Sequence, residues 1–183
     1  MTPPPPPSST PAQVYTQWQA TRTRRWHTNP ALSRTEDPVG AHSARMVILA
    51  LYFDPALSRE AIIYIISHDL AEIITGDIPY PVKHDNPEFN AALTIADEDA
   101  NKQLNIPSPN NLTQTERQLI SLVDRLDAWL WMANHYAPSP TTTSNPLSWH
   151  RYLPMLMQQA QALSLDAKLS RIIDAHTDIG PLR

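Results

Sequence analysis

Apolar residues along the chain recur at intervals of three and four, and the gaps between the periodic stretches are filled with proline. That period is the signature of α-helices burying one face. Thr10 before Pro11 predicts the start of a first helix, with Val14 and Trp18 one turn apart on its apolar side. "RRWHTNPALSRTEDPVG", residues 24–40, is too rich in Pro, Asn and Asp for regular structure and reads as a connecting loop. A second helix begins near Ala41, carries "HSARMVILALYF" and stops before Pro55. A third runs from Ser58, a good N-cap, to Thr75, with Gly76 placed to end it. "DIPYPVKHD", residues 77–85, reads as a proline-stiffened loop, and a fourth helix covers Pro87 to Leu104.

After the break "NIPSPNN", Thr113 with Glu116 three residues on forms a reciprocal capping pattern that opens a fifth helix to about Tyr136. "APSPTTTSNP" is a linker, and two helices near 147–163 and 165–175 close the chain. Neither strand-like alternation nor an internal repeat is evident. The expectation is one all-α globular domain over residues 11–183, preceded by a flexible proline-rich tail over 1–10.

Composition narrows the function classes. The chain has 183 residues, 42% hydrophobic and 17% charged, enough for a substantial core. A formal net charge of -4 argues against a general nucleic-acid binder. No cysteine is present, so disulfides, thiolate nucleophiles and cysteine-ligated zinc are excluded; a cytoplasmic location is expected. "MTPPPPPSST" lacks the basic head and apolar middle of a signal peptide, and "MVILALYF" is too short to span a bilayer, so no membrane partner is expected. With three glycines, the chain has neither a Walker loop nor a dinucleotide fingerprint.

The chemistry lies in polar residues on apolar helical faces. His68, Asp69 and Glu72 follow "REAIIYIIS" directly. Four helical residues advance about 400°, so His68 and Glu72 point nearly the same way, with Asp69 within about 60° of Glu72. His42 falls on the inward stripe of the second helix with Met46 and Leu49, and Asp124 interrupts "LISLVDRL" on the fifth. Taken singly, His42 reads more readily as a hydrogen-bonded core residue than as a ligand, and Asp124 as an ion-pair partner of Arg125. Together, two imidazoles and two carboxylates suit one divalent ion such as zinc, cobalt, manganese or iron. Trp26 lies in a loop, whereas Trp18, Trp129, Trp131 and Trp149 fall on helical faces and are expected in the core.

His42, then "HD" at 68–69, then Asp124 resembles the H…HD…D pattern of the HD-domain metal-dependent phosphohydrolases. Arg25-Trp26 and "HDLAEIITGDIPYPVK" bring the resemblance to the 5'-deoxynucleotidase branch and its compact phage relatives, over about residues 11–136. The resemblance implies that His42, His68, Asp69 and Asp124 hold one divalent metal (zinc or cobalt before manganese or magnesium) and that Glu72 handles protons. The alternative for Glu72 is a brace for a ligand histidine. Asp77 is implied at the sugar 3'-hydroxyl or in proton transfer; otherwise it caps a turn. Arg25 and Lys83 are implied at phosphate, Trp26 against deoxyribose, and Thr28, Pro79 and Pro81 at the base.

The motif names the bond cleaved but not the phosphate count. Arg22, Arg24 and Arg25 in "TRTRRW" supply more charge than a monophosphate needs, unless they form only a solvated basic turn. The compact chain resembles the phage enzymes that cleave dATP to deoxyadenosine and triphosphate when 2-aminoadenine replaces adenine, which implies host cytoplasm as the setting. A 5'-deoxynucleotidase acting on monophosphates is the alternative, and a non-catalytic metal-stabilised nucleotide-binding module the third. A dimer-based homo-oligomer, up to a hexamer, is also implied.

Overall fold

The computed structural model describes residues 9–29, 32–135 and 149–179, apart from the side chains of residues 80, 81, 149–151 and 179. The chain is all-α, as its periodicity predicts. Its described helices are α1 (Pro11–Ala20), α2 (Val39–Phe53), α3 (Arg59–Ser67), α4 (Glu72–Thr75), α5 (Tyr80–Asp85), α6 (Pro87–Gln103), α7 (Gln114–His135), α8 (Trp149–Ala162) and α9 (Asp166–Ile179). A 3₁₀ turn at Pro109–Asn111 precedes α7. Among them, no helix is long and apolar enough to cross a membrane.

The helix starts follow local chemistry. Thr10 and Gln13 cap each other reciprocally at α1. Ser58 accepts from the Ala61 N–H at α3, and Thr113 and Glu116 exchange bonds at the start of α7. The start of α2 is different, because its N-cap is Pro38, which offers no side-chain bond. Instead the N–H groups of Val39 and Gly40 donate to the carbonyls of Thr23 and Thr21, each at 2.9 Å. Gly40 permits this approach, since a Cβ there would lie 2.8 Å from the Thr21 Cβ. The end of α1 is thereby pinned to the start of α2, two residues ahead of His42.

Two clusters form the interior. The larger joins α2, α3, α7, α8 and α9 through residues such as Met46, Ile65, Leu122, Leu126, Leu156 and Leu169, all fully buried. The smaller packs Ala20, Val39, Leu70, Ala71, Ala100 and Leu104, where α1, α4 and α6 meet. His42 and the 68–71 turn lie where these clusters adjoin.

Four expectations need correction. The third helix is not continuous to Thr75. After Ser67 the backbone tightens, with Leu70, Glu72, Ile73 and Ile74 each bonding the carbonyl three residues back. The Ser67 hydroxyl and His68 Nδ1 also bond carbonyls of the preceding turn, at Ile63 and Ile65. Residues 77–85 are not all loop: α5 forms because Pro81 sits in its first turn, where a fixed φ and a missing N–H cost little. The second helix starts at Val39 rather than Ala41.

Finally, Trp18 is not core but 59% exposed, stacked on Tyr15, and Val14 is exposed too; α1 docks through Ala20 and through Gln13 and Gln17, which bond carbonyls at the end of α6. Trp129 is buried as expected, and Trp131 lies under the Arg45 guanidinium. The proline-rich segment through residue 8, Tyr136, the 137–148 linker and the Trp149 side chain lie outside the described residues.

Candidate active site

His42 on α2 is fully buried, and its ring is held at Nδ1. Nδ1 lies 2.8 Å from Asp127 Oδ2 on α7. A carboxylate only accepts, so Nδ1 carries the hydrogen and the neutral ring presents a lone pair at Nε2. That lone pair faces Asp69 Oδ2 at 3.4 Å and Asp124 Oδ1 at 3.3 Å. His68 repeats the arrangement. Its Nδ1 donates to the Ile65 carbonyl at 2.8 Å, and its Nε2 lies 3.2 Å from Asp69 Oδ1.

Acceptors therefore converge on acceptors. Nε2 of both imidazoles is buried with no hydrogen-bond partner among the described residues. His42, His68 and Asp69 each bring one ligand atom within 4.8 Å of the others, as a divalent ion requires. Asp124 stands beside this trio through its contact with His42, its side chain 44% exposed. The donor set, two nitrogen lone pairs and two carboxylates, fits a borderline divalent ion.

Without a cation, a proton takes its place. Burial alone would depress the His42 pKa, but the carboxylates of Asp124, Asp127 and Asp69 outweigh it and raise the ring to about 10. For Asp69 burial likewise works against the charge, and His68, His42 and Arg25 prevail, holding it well below the usual carboxylate range. Glu72 shifts the other way. Burial, then Asp69 and Asp77, push its carboxyl up to about 9 against the pull of Arg25 and Lys83, and its buried Oε2 has no hydrogen-bond partner among the described residues. A protonated carboxyl thus adjoins an anionic one, the separation of roles that acid–base chemistry uses.

Asp77 follows Gly76, whose φ of 81° ends α4. One Asp77 oxygen accepts the Trp26 backbone N–H at 3.2 Å and lies 3.9 Å from His27 Nδ1. Trp26 has a φ of 63°, a conformation bulky residues rarely adopt, and its indole N–H donates to Asp37 at 2.9 Å. Arg25 lies 3.4 Å from Asp37 and 3.5 Å from Asp127, turned toward the cluster. Lys83 is on α5, half-buried, and Pro79 precedes that helix. Thr28 is exposed, and the Pro81 side chain lies outside the described residues. Arg125 faces Met155 Sδ at 4.0 Å rather than Asp124.

Three residues escaped the sequence reading. Asp127 and Asp37 are almost completely buried, and Arg45 bridges them. Asp127 carried a signal, a second acid three positions after Asp124 in an apolar helix. Arg45 carried a weaker one, a charge amid "HSARMVILALYF". Asp37 carried none, since an acid before a loop proline reads as solvent-exposed.

Two searches, one of curated proteins and one of solved structures, gave no significant match to the chain. A family model, described as YfbR-like 5'-deoxynucleotidase, matches residues 25–134. The matched span opens on Arg25, takes in the imidazole–carboxylate cluster with Glu72, Asp77 and Lys83, and ends within the last turn of α7. It covers well over half of the chain, and its metal dependence is what the converging acceptors call for. The chain is therefore a member of the YfbR-like family, an HD-domain phosphohydrolase acting on deoxynucleotides.

Proposed function

We propose that the chain hydrolyses the phosphoester at O5' of a deoxynucleotide, with His42, His68, Asp69 and Asp124 holding one divalent ion, zinc or cobalt before manganese or magnesium. The observation that carries this reading is the pair of buried imidazole nitrogens facing Asp69, unpartnered among the described residues, with the buried Glu72 carboxyl beside it. When bound, such an ion polarises the phosphoryl group and acidifies water. A cation held beside Glu72 would offset Asp69 and Asp77 and favour the carboxylate, which would take the proton of the attacking water and return that proton to O5' as the phosphorus–oxygen bond breaks. Arg25 faces the cluster from one side and Lys83 acts on Glu72 from α5, so positive charge flanks the phosphate. Trp26, fixed by Asp37 and Asp77, offers the ring against which a deoxyribose packs, and Asp77 keeps a second oxygen for the 3'-hydroxyl. Thr28, Pro79 and Pro81 complete the proposed base contacts.

For the finer assignment we favour dATP, cleaved to deoxyadenosine and triphosphate, in the setting of a phage with 2-aminoadenine DNA. Support comes from Arg22 and Arg24, both exposed beside Arg25. A monophosphate is the second reading, favoured because Arg24 pairs with Glu36 and Arg25 with Asp37 and Asp127, which leaves less charge to spare. A homo-oligomer is part of the proposal, supported by apolar side chains left exposed on α1 and α6, among them Tyr15, Trp18, Phe89 and Ile95. The test is incubation of zinc- or cobalt-loaded protein with each deoxynucleoside mono- and triphosphate, products being resolved by chromatography. Deoxyadenosine plus triphosphate from dATP is the expected result. Orthophosphate from monophosphates establishes the second reading, and no turnover with any metal rejects both in favour of a binding module.

A further inference from the structure

Asp127 sits one turn beyond Asp124 on α7, 2% exposed, and faces away from the trio that converges on Asp69. Its Oδ2 holds His42 Nδ1 at 2.8 Å. Arg45 grips both of its oxygens, Nε to Oδ1 at 2.6 Å and Nη2 to Oδ2 at 2.9 Å. The same Nη2 donates to Asp37 Oδ1 at 2.7 Å, and the other Asp37 oxygen receives the Trp26 indole at 2.9 Å. Arg25 closes the network, its Nη1 within 3.4 Å of Asp37 and 3.5 Å of Asp127.

We propose that Asp127 is a positioning residue: it locks His42 with hydrogen on Nδ1 and the lone pair on Nε2, and through Arg45 and Asp37 it registers the Arg25–Trp26 loop against that ligand. The inference rests on the metal-site reading above and adds Asp127 and Arg45, to which that reading gives no role. Its physical basis is the choice an imidazole otherwise has. A neutral ring can place hydrogen on either nitrogen and can rotate, and only one combination aims a lone pair at Asp69 and Asp124. A carboxylate behind the ring selects that combination and strengthens the nitrogen as a ligand. Asp127 is itself prevented from turning, because Arg45 occupies both oxygens in a planar fork.

Asp127→Asn preserves shape but must aim an NH₂ group at one of two positions already facing Arg45 N–H groups, so the fork or the His42 bond is lost. The experiment uses full-length protein, wild type, Asp127→Asn and Asp127→Glu, stripped of metal and titrated with zinc against a chromophoric chelator. Nitrogen-15-edited proton spectra of the zinc-loaded proteins report imidazole N–H groups. In the wild type a slowly exchanging N–H of His42 is expected. In Asp127→Asn that signal is expected to vanish and the zinc dissociation constant to rise about 10–100-fold. Asp127→Glu, which keeps the charge, should recover part of the affinity. If Asp127→Asn unfolds cooperatively yet binds zinc within about twofold of wild type with the N–H still protected, the proposal is overturned. Should Asp127→Asn not fold, the zinc-loaded wild type decides: a His42 ring whose N–H exchanges freely, or carries its hydrogen on Nε2, overturns the proposal equally. A wild type that binds no zinc rejects the metal-site reading itself, a result distinct from either.

Discussion

Replacing Arg45 with methionine removes one cation from between two buried carboxylates while keeping most of the side-chain volume. Asp37 is fully buried and Asp127 nearly so, and neither can reach water in place of the guanidinium. Removing one partner of a buried ion pair costs about 3–5 kcal/mol. Two features favour the lower end. Arg45 itself is 30% exposed, so solvent already screens part of its charge, and Arg25 remains within 3.4 and 3.5 Å of the two acids. The stacking of Arg45 over Trp131, 4.5 Å from the ring centre, adds about 0.5–1 kcal/mol to the loss.

A net loss of about 3 kcal/mol corresponds to a melting temperature lower by about 6–12 °C for a domain of this size. The assay is thermal and urea unfolding of chelator-treated protein at pH 7, which keeps metal linkage out of the comparison. Arg45→Lys, retaining charge without the fork, should fall between. The pH dependence supplies a second check. Burial disfavours the Asp127 anion, but His42 and Arg45 outweigh it and hold its folded pKa below the unfolded value. Its contribution is therefore present above the unfolded pKa, about 4, and lost as pH falls through the folded value, so the gap between wild type and variant narrows in acid. A loss below about 1 kcal/mol at pH 7, or a gap that does not narrow, would refute the buried-network account.

Glu72→Gln keeps the shape of the side chain but not its proton traffic; turnover is expected to fall at least about 100-fold, with zinc affinity held near wild type, in steady-state assays paired with chelator competition. Equal loss of affinity would make Glu72 a brace for the ligands instead. Metal-free protein should become less stable as pH rises. His42, raised to about 10, contributes stability below its unfolded pKa of 6.5 that disappears through 10, and Glu72, raised to about 9 from 4.5, adds a growing penalty over that rise. Urea midpoints at pH 6 and pH 9 read the slope, and a flat or rising profile contradicts it. Trp26→Ala should admit ribonucleotides, measured as a smaller ratio of deoxy- to ribonucleotide kcat/KM; an unchanged ratio removes Trp26 from sugar selection.

By itself the sequence determined what short-range chemistry decides. The caps at Thr10, Ser58 and Thr113 were legible because each joins residues three apart, and the helices because their apolar period is local. His42, His68, Asp69 and Asp124 stood out because polar groups on an apolar stripe need a shared partner. Only the tertiary structure decided what those groups face. The bridge from Arg45 to Asp127 spans 82 positions, and Trp26 meets Asp77 across 51, so no periodicity could announce either. The same holds for the break after Ser67 and for Trp18, whose helix docks through amides rather than its aromatic side. Helical period reports which residues share a face; burial depends on what the rest of the chain folds against it, and a charge such as Asp37 becomes costly or useful only there.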